Sequence, residues 1–398
     1  MRIPGISKYV LMLILLLVWV GRSWSLDLRI SLFQEQLVDA MLFTSVDGDY
    51  SVETNRGPLG ICPEGDSWYV VLRKDSLLIR DHAGAWHHGD ELRFSAADEY
   101  GVFRLKPVLP LLASREYLSD LQVEISMNSL LMLNEIDMEK YIMGVSETEA
   151  GSKCELEYYK VQSILCRTFA LKNFNRHEAE GFNLCDGVHC QAYKGRNIWN
   201  EDVEIGTEVT DGLVLVDEDS LLLNAAFHSN SGGETRGAEE VWLNGKNYLL
   251  PVLDPFSLNQ PSARWRKSIP VNDWISYLQT KGIFLGDLQD TSLLEMHVKH
   301  RENYYRVALD SLLFLVIRDD LELRSDFFGI SLQGDQVVLE GRGYGHGVGL
   351  SQEGAMEMAR RSYHYTAILN YYYHQIQIIQ YMFLEETGKL QIDMNNLP

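Results

Sequence analysis

The sequence predicts an α+β fold, on three observations. Short apolar runs bounded by turn residues dominate residues 26–120. Apolar positions at helical spacing begin near Asn134. Beyond that point helices and strands are interspersed without a regular strand–helix repeat, which argues against a doubly wound α/β sheet. The expected organisation is an export signal or N-terminal anchor at 1–25, a small β-rich unit at 26–120, a domain of interspersed helices and antiparallel strands at 121–385, and a tail at 386–398.

Taken in order, Arg2 supplies an early positive charge and Val10 to Val20 a short apolar run, with small residues at Ser23 and Ser25 where a signal peptidase would cut. A membrane span needs about 20 apolar residues, so the expectation is export to the periplasm or another extracytoplasmic face of the envelope, with an uncleaved anchor as the alternative. Leu28 to Phe33 and Trp68 to Leu72 read as strands. Asp47-Gly48-Asp49-Tyr50 and Asn55-Arg56-Gly57-Pro58 read as turns, and His87 and His88 as turn residues rather than ligands. Asp137 reads as an N-cap with acidic Glu139 in the first helical turn. Met138, Tyr141, Val145 and Glu149 then share one helical face. A second helix is expected from Glu155 to Phe174, strands at Leu213 to Val216 and Leu221 to Leu223, and a terminal helix around Gly349 to Arg361.

The charge balance excludes several classes of function. With 56 acidic against 35 basic residues and a net charge of −21, the chain lacks the cations that nucleic acid or anionic lipid would require. A neutral or sparsely charged polymer is the more compatible ligand, and no transmembrane partner is implied. Five cysteines, an odd number, leave at least one thiol outside any internal disulfide scheme.

Four stretches could carry chemistry. Glu149 ends an apolar helical face, where desolvation would raise its pKa as a general acid requires. Glu147 projects from a different side. From periodicity alone, a solvated helix-end acid is the plainer reading of Glu149. Cys185, His189 and Cys190 lie within six residues and could supply three zinc ligands, with His177 upstream as a fourth. A Cys185–Cys190 disulfide is the competing reading. Phe227-His228-Ser229-Asn230-Ser231-Gly232-Gly233 is a loop whose backbone can approach a ligand closely. Nearby Trp242 and Tyr248 could offer apolar faces to sugar rings. Gly341 to Gly349 alternates five glycines with other residues before Ser351 and Gln352. It could present His346 and Ser351 to a pocket, or serve a purely structural turn. No phosphate-loop or dinucleotide-binding pattern is present.

In this order the four stretches resemble the SpoIID/LytB (stage II sporulation protein D) family. The likeness runs ungapped through Asn134-Glu135-Ile136-Asp137, Tyr141, Gly144-Val145, Glu149 and Arg167-Thr168. It continues through Cys185 to Tyr193, through His228 to Gly233 with Glu240-Val241-Trp242 and Asp254-Pro255, and ends at Gly341 to Gln352. The resemblance implies a lytic transglycosylase acting on peptidoglycan glycan strands, preferably stripped of stem peptides. Glu149 would be its single catalytic acid and base, and His228, Ser231, His346, Ser351 and Gln352 would line its groove. It also implies a structural zinc at the Cys-His-Cys segment, with no cofactor for catalysis. A second role found in part of the family is noncatalytic glycan binding that enhances a wall amidase, which would be a protein partner. Three positions depart from the family's pattern. Ala150-Gly151 stands where Met-Pro is usual, Glu155 where Pro is usual, and Glu353 where Tyr is usual.

Overall fold

The computed structural model describes residues 26–196, 200–242, 245–283, 291–307 and 309–390. The expected export signal lies outside them, as do residues 391–398 of the expected tail. The architecture is α+β, as expected. Twelve strands fill Asp27 to Asp137: β1 (Asp27–Leu32), β2 (Ala40–Asp47), β3 (Tyr50–Thr54), β4 (Gly57–Cys62), β5 (Ser67–Arg73), β6 (Ser76–Arg80), β7 (Trp86–Gly89), β8 (Leu92–Ala96), β9 (Val102–Leu109), β10 (Arg115–Leu118), β11 (Asp120–Ser126) and β12 (Ser129–Asp137). With the short β13 (Leu184–Cys185) they form two sheets, ordered β13-β1-β12-β11-β8-β3-β4 and β10-β9-β2-β5-β6-β7.

The turn residues act as the sequence predicts. Gly48, at φ 75°, and Asp49 turn the chain from β2 in one sheet to β3 in the other, and Asn55-Arg56 close the hairpin between β3 and β4. Inward-facing aromatics fill the space between the sheets. Phe43 stacks on Phe94 with centroids 3.9 Å apart, and Phe103 and Tyr50 close around them. Truncating Phe94 to alanine would cost about 3–5 kcal/mol. His87 and His88 lie in strand β7, not in a turn, and His87 Nε2 sits 2.8 Å from Asp81 Oδ2.

The boundary expected at residue 120 falls inside a sheet. β11 pairs with β8 on one side and β12 on the other, while β1 lies between β12 and β13. Buried there on both faces, β1 has five consecutive buried residues rather than an alternating pattern. The pairings of β1 join residues a hundred or more positions apart, which no local pattern announces.

β12 leads directly into helix α1 (Met138–Ala150), which packs against α2 (Leu156–Lys172). A second core gathers around Tyr158, Ile164, Leu249, Val348 and Ile368. A third lies between the sheet of 264–270, 328–333 and 336–342 and the helices Val271–Thr280 and Phe314–Asp320. Leu221 to Leu223 forms only an isolated bridge to Val216, because the Leu213–Val216 strand instead pairs with the distant Gln377–Gln380 strand. The helix at Gln352–Arg360 is not terminal; helices Tyr365–Tyr372 and Met382–Glu386 follow it. Among the described residues no helix is long and apolar enough to cross a membrane.

Candidate functional site

Helix α1 positions Glu149. The Asp137 carboxylate accepts from the Glu139 and Lys140 amides and starts the helix. Tyr141 and Val145 are fully buried, and Glu149 follows on the same face, half-exposed in the last turn. Gly144 lets α1 lie against the 193–195 segment, since a Cβ there would sit 2.3 Å from the Gly195 carbonyl. That contact brings the Ala192 amide to Glu149, whose Oε1 accepts from it at 3.1 Å. Burial raises the Glu149 pKa above the ordinary carboxylate value, against the opposing pull of the Ala192 amide and the Lys194 charge. Gln352 Nε2 donates to the Glu149 carbonyl at 3.3 Å, so the end of the Gly-rich segment meets α1 at this residue.

The departure at Ala150-Gly151 has a structural counterpart. Gly151 caps α1 at φ 78°, a left-handed conformation that proline cannot adopt. Its carbonyl accepts from the Tyr159 hydroxyl at 2.7 Å, which ties down the loop after Glu149. Glu353, where the family has Tyr, accepts from Asn230 Nδ2 at 2.6 Å and from the Ser262 amide, stapling the serine loop to the helix after the glycines.

Glu149 opens onto a groove of about 530 Å³, bordered by Lys172, Arg176, Phe227, Trp242 and His346 among others. Among the described lining residues Glu149 is the only carboxylate; Glu147 is not in the lining. The parallel pairing of Phe227–His228 with Leu350–Ser351 brings the third and fourth stretches together. Trp242 is 37 % exposed, with its ring centroid 5.8 Å from that of His346.

His346 accepts from the Val348 amide at Nδ1 (3.1 Å), so Nε2 carries the proton and donates to the Phe227 carbonyl at 3.0 Å. Burial drives its pKa down to about 4, and the ring is a neutral wall with both nitrogens engaged. His228 is buried, with Nδ1 at 3.1 Å from the Val348 carbonyl, and burial holds its pKa well below the usual value.

Several expected groove residues serve the scaffold instead. Ser231 and Ser351 are fully buried. Ser231 Oγ donates to Asp254 Oδ2 at 2.7 Å, while Ser351 Oγ accepts from the Ser231 and Gly354 amides and caps the Gln352–Arg360 helix. His228, at 5 % exposed, stands behind the wall rather than in it. Gly232 is buried at φ 70°, where a Cβ would strike the Arg342 backbone. Ser229 accepts the Glu353 amide at its carbonyl. Tyr248 is packed into the second core, its hydroxyl accepting from the Asn224 amide at 3.0 Å, and offers no face to the groove. These stretches consist of small residues because backbone segments cross there, not because each side chain touches a ligand.

Beside Glu149, the ligand atoms of His177, Cys185, His189 and Cys190 all lie within 4.8 Å of one another. Cys190 Sγ is 3.4 Å from His177 Nε2 and 3.8 Å from His189 Nδ1, and Cys185 Sγ is 3.9 Å from His189 Nδ1. Zinc–sulfur and zinc–nitrogen bonds of about 2.3 and 2.0–2.1 Å at the tetrahedral angle put S and N about 3.6 Å apart, so this donor set suits the ion. Glu180 Oε1 lies 2.6 Å from His177 Nδ1 and aims Nε2 at the cluster, as an outer-shell carboxylate does for a metal-bound imidazole. Cys185 and Cys190 are free thiols rather than a disulfide. The contact between them lowers the pKa of Cys190 and raises that of Cys185, which favours one thiolate. With four protein ligands no position would stay open, so a zinc held here would be structural rather than catalytic.

Two buried ionic contacts carry no local sequence signal. Asp186, 8 % exposed, accepts from the Phe33 amide at 2.7 Å and from Arg115 Nη1 at 2.7 Å, bolting the β-rich part to the cysteine loop. Asp326 accepts from Arg301 Nη1 at 2.9 Å and from Arg236 Nη1. Arg301 in turn donates to the Ser231 and Glu234 carbonyls and packs against Gly347, where a Cβ would lie 2.7 Å from its guanidinium carbon.

Residues 126–216 match the family model SpoIID, described as stage II sporulation protein. Stage II sporulation protein D of Bacillus subtilis (strain 168) is 29 % identical over 262 residues, covering 61 % of this chain and 74 % of that protein. The protein of the same name from Bacillus amyloliquefaciens is 27 % identical over 277 residues, covering 65 % and 79 %. An amidase enhancer of Bacillus subtilis (strain 168) is 24 % identical over 284 residues, 58 % of this chain and 39 % of that protein. The matched segment holds both Glu149 and the Cys185–Cys190 loop, and over residues 126–216 the chain is similar to the SpoIID family.

Proposed function

We propose that this protein acts at the bacterial cell wall as a lytic transglycosylase. It would cleave the bond between N-acetylmuramic acid and N-acetylglucosamine in glycan strands and leave 1,6-anhydromuramic ends. The observation that carries this reading is a single half-buried carboxyl group, with a raised pKa, in a groove whose described lining holds no second acid. Hydrolases that use a carboxylate pair need two such groups about 5–9.5 Å apart. A lone acid suffices where the substrate supplies its own nucleophile. Protonated Glu149 would donate to the glycosidic oxygen as the C1–O bond breaks. Its carboxylate would then take the proton of the muramic C6 hydroxyl as that oxygen bonds to C1, which returns the acid to its starting state.

The remaining groups have supporting parts. Trp242 would pack on a sugar face, His346 would present a neutral wall, and Lys172 and Arg176 would flank the strand. A structural zinc held by His177, Cys185, His189 and Cys190 would fix the loop whose Ala192 amide holds Glu149. Extracytoplasmic placement, cleaved or anchored at the N terminus, belongs to the same reading.

Denuded glycan strands incubated with the protein are expected to yield anhydromuramic products by mass spectrometry, and Glu149→Gln to reduce their rate about 10²–10⁴-fold. Absence of products from the unsubstituted protein, or equal rates from the variant, would overturn the lytic reaction. The kinship with an amidase enhancer supports a second reading, glycan binding that stimulates a wall amidase. Stimulation of an amidase by Glu149→Gln without glycan cleavage by either form would favour it.

A further inference from the structure

The cysteine loop has a second hollow on its far side. It encloses about 350 Å³ and is bordered by Phe33, Gln36, Ala113, Arg115, Ala192 and Lys194. Val188, 87 % exposed, borders both this hollow and the Glu149 groove. Ala192 borders the hollow, and its amide donates to Glu149 Oε1. The carboxyl group therefore stands where the two depressions meet.

The hollow is built rather than incidental. Buried Asp186 fixes its floor by accepting from the Phe33 and Gln34 amides at 2.7 and 3.2 Å and from Arg115 at 2.7 Å. Phe33 holds a left-handed backbone at φ 54°, and the Arg115 guanidinium covers its ring at 4.3 Å. Arg115 is thus neutralised, and Glu35 lies against Gly187, where a Cβ would be 2.8 Å from its Oε1. Exposed Lys194 is the cation turned toward the Glu149 side, where its charge is felt by the carboxyl group.

We infer that this hollow is the second arm of the glycan site. It receives the sugar units beyond the scissile bond, with Lys194 facing a free carboxylate such as the lactyl group of a muramic residue. The inference rests on the proposed glycan chemistry: a polymer cut at Glu149 continues on both sides of that residue, and the groove accounts for one side only. The β-rich N-terminal part then supplies one wall of the site.

Binding tests this without cleavage. In the Glu149→Gln protein, Ala113→Trp and, separately, Gln36→Trp fill the hollow from exposed positions. Titration calorimetry with a denuded muramic-containing octasaccharide is expected to show at least tenfold weaker binding for each. Lys194→Ala is expected to weaken that ligand several-fold and to leave a chitin octasaccharide, which lacks carboxylates, unchanged. Unaltered affinity in both tryptophan variants, with unaltered melting temperature, overturns the second arm. Equal losses for both octasaccharides in Lys194→Ala overturn the carboxylate contact. Neither outcome depends on turnover, so failure of the lytic reaction is read separately from the anhydromuramic products of the unsubstituted protein. No binding by the parent overturns both.

Discussion

Replacing Asp326 by alanine is expected to destabilise the protein by about 3–5 kcal/mol, because it strands two buried cations. The Asp326 side chain is fully buried, and those of Arg236 and Arg301 are 2 and 3 % exposed. Arg301 would keep its bonds to the Ser231 and Glu234 carbonyls, and Arg236 its bond to Asn303 Oδ1 at 2.7 Å. Among the described residues, the anions left to them are the outlying Glu240, 3.8 Å from Arg236, and Glu234, whose charge acts on Arg301 from outside hydrogen-bond contact. At about 2 °C per kcal/mol for a large domain, the melting temperature in scanning calorimetry would fall by roughly 6–10 °C. Asp326→Asn retains an acceptor and is expected to lose less. Adding Arg236→Met to Asp326→Ala removes one stranded charge and is expected to recover part of the loss, a coupling that a double-mutant cycle reads directly. A fall below about 2 °C for Asp326→Ala, or strict additivity in the cycle, would refute the argument that this cluster clamps the serine and glycine loops together.

Other perturbations follow from the same geometry. Because Glu149 has its pKa raised in the fold, it contributes most to stability below the ordinary carboxylate pKa and costs stability as pH rises through its folded value. Glu149→Gln is therefore expected to melt no lower than the parent at pH 7, while the parent's kcat/KM on glycan strands declines on the alkaline side as the acid form is lost; a variant melting clearly lower at pH 7 would contradict the sign. Stripping metal with a chelator is expected to lower the melting temperature and expose titratable thiols at Cys185 and Cys190. A purified protein with no zinc by elemental analysis and a Cys185–Cys190 disulfide would remove the assigned ligand set. At Gly349, with φ 71°, a Cβ would lie 2.1 Å from the Ala226 carbonyl, so Gly349→Ala is expected to cost roughly 2–3 kcal/mol in denaturant unfolding. Trp242→Ala is expected to weaken glycan binding about tenfold, since covering ~50 Å² of indole is worth roughly 1.3 kcal/mol; unchanged affinity would remove Trp242 from the site.

Local chemistry accounts for what the sequence by itself determined. The Asp137 cap, the apolar spacing through Tyr141 and Val145, and the turns at Gly48-Asp49 and Asn55-Arg56 all depend on neighbours within a few residues, and they appear in the fold where the pattern puts them. Periodicity also separated Glu149 from Glu147, and the ordered motifs led to the family. Tertiary structure decided which motif residues face the groove. Ser231, Ser351 and Tyr248 occur in motifs as conspicuous as those of Trp242 and His346, yet chain crossings bury the first three. The same long-range contacts erase the boundary at residue 120, because β1 finds its partners at 129–137 and 184–185. They also join Asp186 to Arg115 and Asp326 to Arg236 and Arg301. A charge in a sequence does not reveal whether it will be solvated or paired in the interior; burial decides that, and burial is a property of the whole chain.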